Sequence, residues 1–97
     1  MLGTNFPISD YYREHIIDAE TIARSGGWWT AVLLIKDPKK STPFLGIYRW
    51  QYTESGWKVR NRFYIRSNEQ LQKIVETIEK FSDRLPKKAT HKEEVED

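Results

Sequence analysis

Two β-rich runs, Phe44 to Thr53 and Trp57 to Arg66, are separated by the turn residues Glu54-Ser55-Gly56. A strand sends alternate side chains to opposite faces, so the first run divides into Phe44, Gly46, Tyr48, Trp50 and Tyr52 against Leu45, Ile47, Arg49, Gln51 and Thr53. The second divides into Lys58, Arg60, Arg62, Tyr64 and Arg66 against Trp57, Val59, Asn61, Phe63 and Ile65. With Glu54, Ser55 and Gly56 in the loop, Tyr52 faces Lys58, Trp50 faces Arg60 and Tyr48 faces Arg62, while Ile47 faces Phe63 and Leu45 faces Ile65. An aromatic row then shares a face with a basic row. A slip of one residue would set charge against core, so both faces agree on one register.

Aromatic and cationic rows side by side suit single-stranded nucleic acid. Unpaired bases offer a π-face worth roughly 1–3 kcal/mol each on Trp or Tyr, and Lys and Arg neutralise phosphates along the strand. A duplex hides its base faces, so stacking selects unpaired strands. The pattern predicts stacking on Phe44, Tyr48, Trp50, Tyr52 and Tyr64, and phosphate contacts from Lys58, Arg60, Arg62 and Arg66 with Lys39 and Lys40 of a neighbouring basic loop. Charge agrees: residues 36 to 66 hold eight Lys and Arg against Asp37 and Glu54, a local +6 that the overall +2 conceals. The bland alternative packs the aromatics under a helix and leaves the cations to blunt a sheet edge. DNA is the first reading and RNA fits nearly as well, since nothing in the pattern reports on a 2′-hydroxyl. A protein-interaction or transcription-regulator module is the rival from another class, because Tyr, Trp and Arg are also hot-spot residues.

Catalysis finds no support. There is no Ser-His-Asp, His-Glu-x-x-His or Walker pattern. Glu76 with Glu79 and Asp18 with Glu20 read as solvated carboxylates on charged helix faces. His15 has no partner at metal-ligand spacing, and His91 falls near the chain end. Cys is absent, which removes disulfides, thiolate zinc sites and a Cys nucleophile together. The chain reads as a non-enzyme with no metal and no cofactor.

The elements that must position these residues fit one small α+β domain. Its 97 residues are 38% apolar and 31% charged, a soluble globular composition, with no run near the ~20 apolar residues of a membrane span. Thirteen aromatics exceed what so small a core consumes. The first residues lack a basic start and an apolar stretch, which predicts no secretory leader and a cytoplasmic, nucleoid-associated protein. Ser9 or Asp10 caps an expected N-terminal helix from about Asp10 to Arg24, with a stripe of Tyr12, Ile16, Ala19 and Ala23 and with Ile8 and Ile22 alongside, stopped by Ser25-Gly26-Gly27. Trp28 to Asp37 is a strand apolar on both faces; one of Trp28 and Trp29 belongs to the core. An antiparallel sheet of three to four strands results. A second helix opens at Ser67 or Asn68, carries the seam Leu71, Ile74, Val75, Ile78, Phe81 and Leu85, and ends at Pro86. That near-heptad seam predicts a dimerising helix and a homodimer or higher oligomer. The domain therefore spans 1–86, and 87–97 is expected to be a disordered charged tail whose Glu93, Glu94, Glu96 and Asp97 compete for the basic row.

The order Phe-Leu-Gly-Ile-Tyr-Arg-Trp-Gln-Tyr, then Glu-Ser-Gly, then Trp-Lys-Val-Arg-Asn-Arg-Phe-Tyr-Ile and a helix opened by Ser-Asn-Glu-Gln resembles the single-strand-binding domain of the positive-cofactor-four (PC-four) transcriptional coactivator family. The resemblance covers Phe44 to Leu85 and implies a homodimer through the terminal helix, with a single strand laid across curved β-ridges, phosphates on Lys58, Arg60 and Arg62, and stacking on Trp50. The upstream Gly-Gly-Trp-Trp junction departs from that family, so the coactivator role does not carry over. A leading helix, an aromatic sheet and a closing dimerising helix are also similar to the archaeal ThermoDBP and its related proteins, which implies bases sequestered in an aromatic cleft. Charge-rich, Cys-free composition agrees with a thermophilic source.

Overall fold

A computed structural model of the chain describes residues 6–88, which divide into a strand unit ending at Ser67 and a helical unit beginning at Asn68. The strand unit is an antiparallel meander in the order β1-β2-β3-β4: β1 Ile16–Ser25, β2 Trp28–Ile35, β3 Phe44–Thr53 and β4 Gly56–Ile65. The class is α+β as expected, with four strands. Residues 89–97, and with them His91 and the acids of the expected tail, lie outside the described residues.

The expected helix from Asp10 to Arg24 is corrected. Only α1, Asp10–Arg13, is helical, capped by the Ser9 hydroxyl, which accepts from Tyr12 N at 3.4 Å. From Ile16 the chain is β1, and Gly26 and Gly27, at φ 61° and 83°, form its hairpin turn to β2 instead of a helix stop. Two successive positive φ angles suit the tight turns that join antiparallel strands, and only glycine adopts them without strain. The missing alternation has a specific source. Bulges between Ile16 and Asp18 and between Thr21 and Ala23 each insert a residue. They leave Ile16, Ala19, Thr21 and Arg24 on the core side, so that steps of three, as between Ile16 and Ala19, interrupt the strand's period of two, while Ala23 of the expected stripe is exposed.

The core lies on one face of this sheet. Trp29, Ala31, Leu33 and Ile35 of β2 pair with Trp50, Tyr48, Gly46 and Phe44 of β3, and all eight residues are buried. Phe6 and Ile8 cover them, Phe6 stacking on Trp29 and Trp50 at 5.3 and 6.0 Å between centroids. Trp50 is 0% exposed and donates its Nε1 hydrogen to Pro7 O at 3.0 Å, while Trp29 Nε1 donates to Thr21 Oγ1 at 3.0 Å. Arg13 staples the covering segment, donating from Nε to Phe6 O at 3.3 Å and from Nη2 to Ile8 O at 2.9 Å. Tyr11 ties it to the loop after β2 by donating to Asp37 Oδ1 at 2.7 Å.

The hairpin register holds at one end and shifts at the other. Leu45 pairs with Ile65, Ile47 with Phe63 and Tyr48 with Arg62, as the alternation predicts. A bulge at Arg60 then moves Trp50 opposite Val59, Gln51 opposite Lys58 and Tyr52 opposite Trp57. Gly56, at φ 102°, closes the turn, with Ser55 N donating to Thr53 Oγ1 at 3.1 Å.

The helical unit holds α2, Asn68–Phe81, followed by a short 3₁₀ turn at Ser82–Arg84. From Leu71 to Phe81 the seam residues share one stripe of α2, none of them buried, with Ile78 58% and Phe81 50% exposed; the helix ends there and not at Pro86, so Leu85, 66% exposed, follows the 3₁₀ turn in extended conformation. No helix among the described residues is long and apolar enough to cross a membrane.

Candidate nucleic-acid interface

The residues expected to stack on bases fall mainly into the core. Phe44, Tyr48 and Trp50 are buried, Tyr48 stacking on Trp50 at 5.4 Å with planes 10° apart. Tyr64 is half-buried, its hydroxyl 3.0 Å from that of Tyr48, and Arg66 lies over the Phe44 and Tyr64 rings at 4.6 and 5.3 Å. The three buried rings have no free face in this arrangement, which corrects the stacking expectation for Phe44, Tyr48 and Trp50, while Tyr64 is partly covered. The reason is area. Trp, Tyr and Phe each remove 150–250 Å² from water, on the order of the largest payload a side chain offers, so the face they occupy becomes the core once Phe6 and Ile8 can cover it. Tyr52, beyond the reach of that cover, remains 60% exposed.

The opposite face is the available one. Among the described residues of the strands that point to it, only Ile65 is buried. The residues expected as core on this side, Leu45, Ile47 and Phe63, are half-exposed or exposed, Phe63 at 51%. Toward the hairpin turns the face becomes polar and cationic. Trp28, the first residue of β2, pairs with Ser25 and Gln51, and the Arg49 guanidinium lies 3.9 Å over its ring. Arg49 Nη1 donates to Asn61 Oδ1 at 2.8 Å, and Arg60 Nε donates to Gln51 Oε1 at 2.9 Å. The Arg60 bulge sets Arg60 and Asn61 on the same side, next to Lys58.

The basic row is thereby divided. Lys58 and Arg60 share the open face with Arg49, whereas Arg62, opposite Tyr48, lies on the aromatic side of edge strand β4. Lys39 and Lys40 sit in the loop that leads into Phe44, and Lys58 follows the turn after Thr53. The ten residues of β3 separate them by about 30 Å at roughly 3.4 Å per residue. They belong to different places on the surface.

At the strand ends the exposed aromatics converge. A crevice of about 400 Å³ is lined by Arg24, Ser25, Gly27, Trp28, Tyr52 and Trp57. Tyr52 N donates to Gly27 O at 2.8 Å, which ties the β1–β2 turn to β3. Trp57 packs edge-on against Trp29 at 5.4 Å and meets Tyr52 at 5.2 Å, while Arg24 lies 4.0 Å over Trp29 and 5.2 Å from Trp57. No protein-family model, curated protein or solved structure matches this chain.

Trp28 and Arg49 escaped the alternation argument because it placed the useful surface on the other face, and Trp57 because the Arg60 bulge carries it over to the side of Tyr52 and Trp29. Gly-Gly between two β-rich runs is a hairpin signal, and it would have set Trp28 at a strand start. Elsewhere, burial raises the Tyr48 pKa most, its hydrogen bond with Tyr64 adds to this, and the nearby charge of Arg62 opposes it. Among the described residues no three His, Asp or Glu side chains gather as a metal site would require.

Proposed function

We propose that the chain binds single-stranded nucleic acid with little sequence preference and without catalysis, on the sheet face opposite the core. The observation that carries this is the grouping of Arg49, Lys58 and Arg60 beside the half-exposed Trp28. The cations neutralise phosphates, and Trp28, with Tyr52 and Trp57 at the strand ends, supplies flat surface for unpaired bases. The resemblance of Phe44 to Leu85 to the PC-four coactivator domain favours DNA over RNA, whereas the likeness to ThermoDBP loses the leading helix it rested on. In this reading a second copy packs along α2, whose seam residues Val75, Ile78 and Phe81 are exposed. Light scattering is expected to give a dimer or larger mass that Ile78→Asp reduces, and a monomeric mass for the unaltered chain removes the oligomer.

Titration with oligo-dT, followed by Trp fluorescence at several salt concentrations, tests the binding. Trp29 and Trp50 are buried, so a change reports on Trp28 and Trp57. A saturable response whose logarithmic affinity falls linearly with the logarithm of salt is expected, with duplex binding far weaker. No response at low salt, or equal binding of duplex, overturns the proposal. A polypeptide partner for the apolar half of the same face, Val32, Leu34, Leu45, Ile47 and Phe63, is then the better reading.

A further inference from the structure

Between the covering segment and edge strand β4 lies a second pocket, of about 250 Å³, lined by Ile8, Ser9, Tyr12, Tyr48, Val59, Arg62 and Tyr64. Its polar groups are donors in excess. The Tyr48 and Tyr64 hydroxyls are 3.0 Å apart; whichever of them donates, the pair owns two O–H groups and uses one between its members. The Ser9 hydroxyl accepts from Tyr12 N, which leaves its own hydrogen to give. Arg62 stands opposite Tyr48 in the ladder, and its guanidinium has no hydrogen-bond or ion-pair partner among the described residues. No carboxylate lines the pocket, and Asp10, next to Ser9 in the chain, is held by Arg13 Nη1 at 2.7 Å. Burial and the Tyr64 hydrogen bond keep the Tyr48 phenol protonated. The Ile8 and Val59 side chains supply apolar walls, which strengthen any charge-assisted hydrogen bond made inside.

A guanidinium fork, a spare phenol hydrogen and a serine hydroxyl converging without a carboxylate call for a compact anion that only accepts hydrogen bonds. We propose that this pocket is a phosphate subsite, with Arg62 as its charged anchor and the tyrosine pair and Ser9 as neutral donors. The subsite deepens the single-strand reading and rests on it for the origin of the phosphate, which is either a terminal monoester or a backbone diester. Arg60 and Arg62 lie on opposite faces of edge strand β4, so a strand that meets both crosses that edge.

Titrating the full chain with inorganic phosphate against sodium chloride at matched ionic strength, read by amide and arginine side-chain NMR, tests the pocket without any oligonucleotide. Saturable shifts confined to residues around Ser9, Tyr48, Arg62 and Tyr64 are expected. Arg62→Gln, at an exposed position, and Tyr64→Phe, which keeps the ring, are each expected to weaken phosphate binding about tenfold, the effect of losing a hydrogen bond to a charged group. Equal shifts with chloride, or unchanged affinity in both variants, overturn the subsite. Oligo-dT with and without a 5′-phosphate then separates the sources. Tighter binding of the phosphorylated form, lost in Arg62→Gln, assigns a terminal monoester, and equal binding that both variants weaken assigns a diester. Phosphate binding with no affinity for either oligonucleotide leaves the subsite standing and removes the single-strand reading.

Discussion

Trp28 and Trp29 are neighbours in the chain and meet opposite fates on the two faces of the sheet. Trp29 is buried beneath Phe6 with its N–H given to Thr21, whereas Trp28 lies half-exposed under the guanidinium of Arg49. The covered face spends its aromatics on cohesion: Tyr48 stacks on Trp50, Trp29 leans against Trp50, and Phe6 above stacks on both tryptophans. The other face keeps smaller aliphatic residues at one end and cations around a single Trp at the other. Aromatic surface stays exposed at Tyr52 and Trp57, where the cover stops, and at Trp28 on the uncovered face, so an aromatic row along a strand does not by itself mark the open side of the sheet.

The sharpest way to break this contrast is on the covered face. Trp50→Ala removes a fully buried indole and strands the Pro7 carbonyl, so chemical denaturation is expected to show a loss of about 3–5 kcal/mol. An unchanged unfolding midpoint would mean that this face is not the core. Gly46→Ala probes the same packing from the backbone: its Cβ would meet Tyr48 Cε1 at 2.8 Å and the Tyr64 ring at 3.4 Å. Tyr48 is held in a stack, so overpacking is expected to cost about 1–3 kcal/mol in the same assay.

On the open face the losses move from stability to affinity. Trp28→Ala is expected to weaken oligo-dT binding by roughly 1–3 kcal/mol, with a much smaller change in thermal midpoint than Trp50→Ala and the salt slope intact. Arg60→Ala inverts that pattern: every sequence weakens alike, and the salt slope measured by titration falls by about 0.7 for the lost phosphate contact. Identical effects of the two substitutions on the slope would erase the division between stacking and charge.

The smallest effect concerns the tie that holds the cover in place. The Lys39 backbone N–H and then the Tyr11 hydroxyl hold the Asp37 carboxyl below its ordinary value of 3.8, and Tyr11 in turn is raised above 10.0, chiefly by its bond to Asp37. A carboxylate with a depressed folded value stabilises the fold fully above the unfolded value, and this stabilisation is lost as the pH falls through the folded one. Stability measured by denaturation from pH 6 downward is therefore expected to fall below about pH 4. Asp37→Asn should give a shallower fall, and an identical pH profile would show that the tie contributes nothing.

Local pattern alone determined β2, β3, β4 and α2 in this protein: β3, β4 and α2 repeat their residue types at the period of their own backbone, β2 is a β-rich run apolar on both faces, and all are bounded by Gly, Ser or Pro. It also determined the pairing of Leu45 with Ile65 and of Ile47 with Phe63, where a slip would have reversed both faces at once. Strand β1 was illegible for the converse reason: two bulges interrupted its period of two with steps of three, so no strand alternation showed. The Arg60 bulge likewise split a basic row that looked continuous along the chain. Which side of the sheet became the core was decided only by tertiary structure. Alternation is symmetric under exchange of faces, and the choice fell to a segment 43 residues away in sequence, where Pro7 accepts the Trp50 hydrogen and Phe6 lies on its ring.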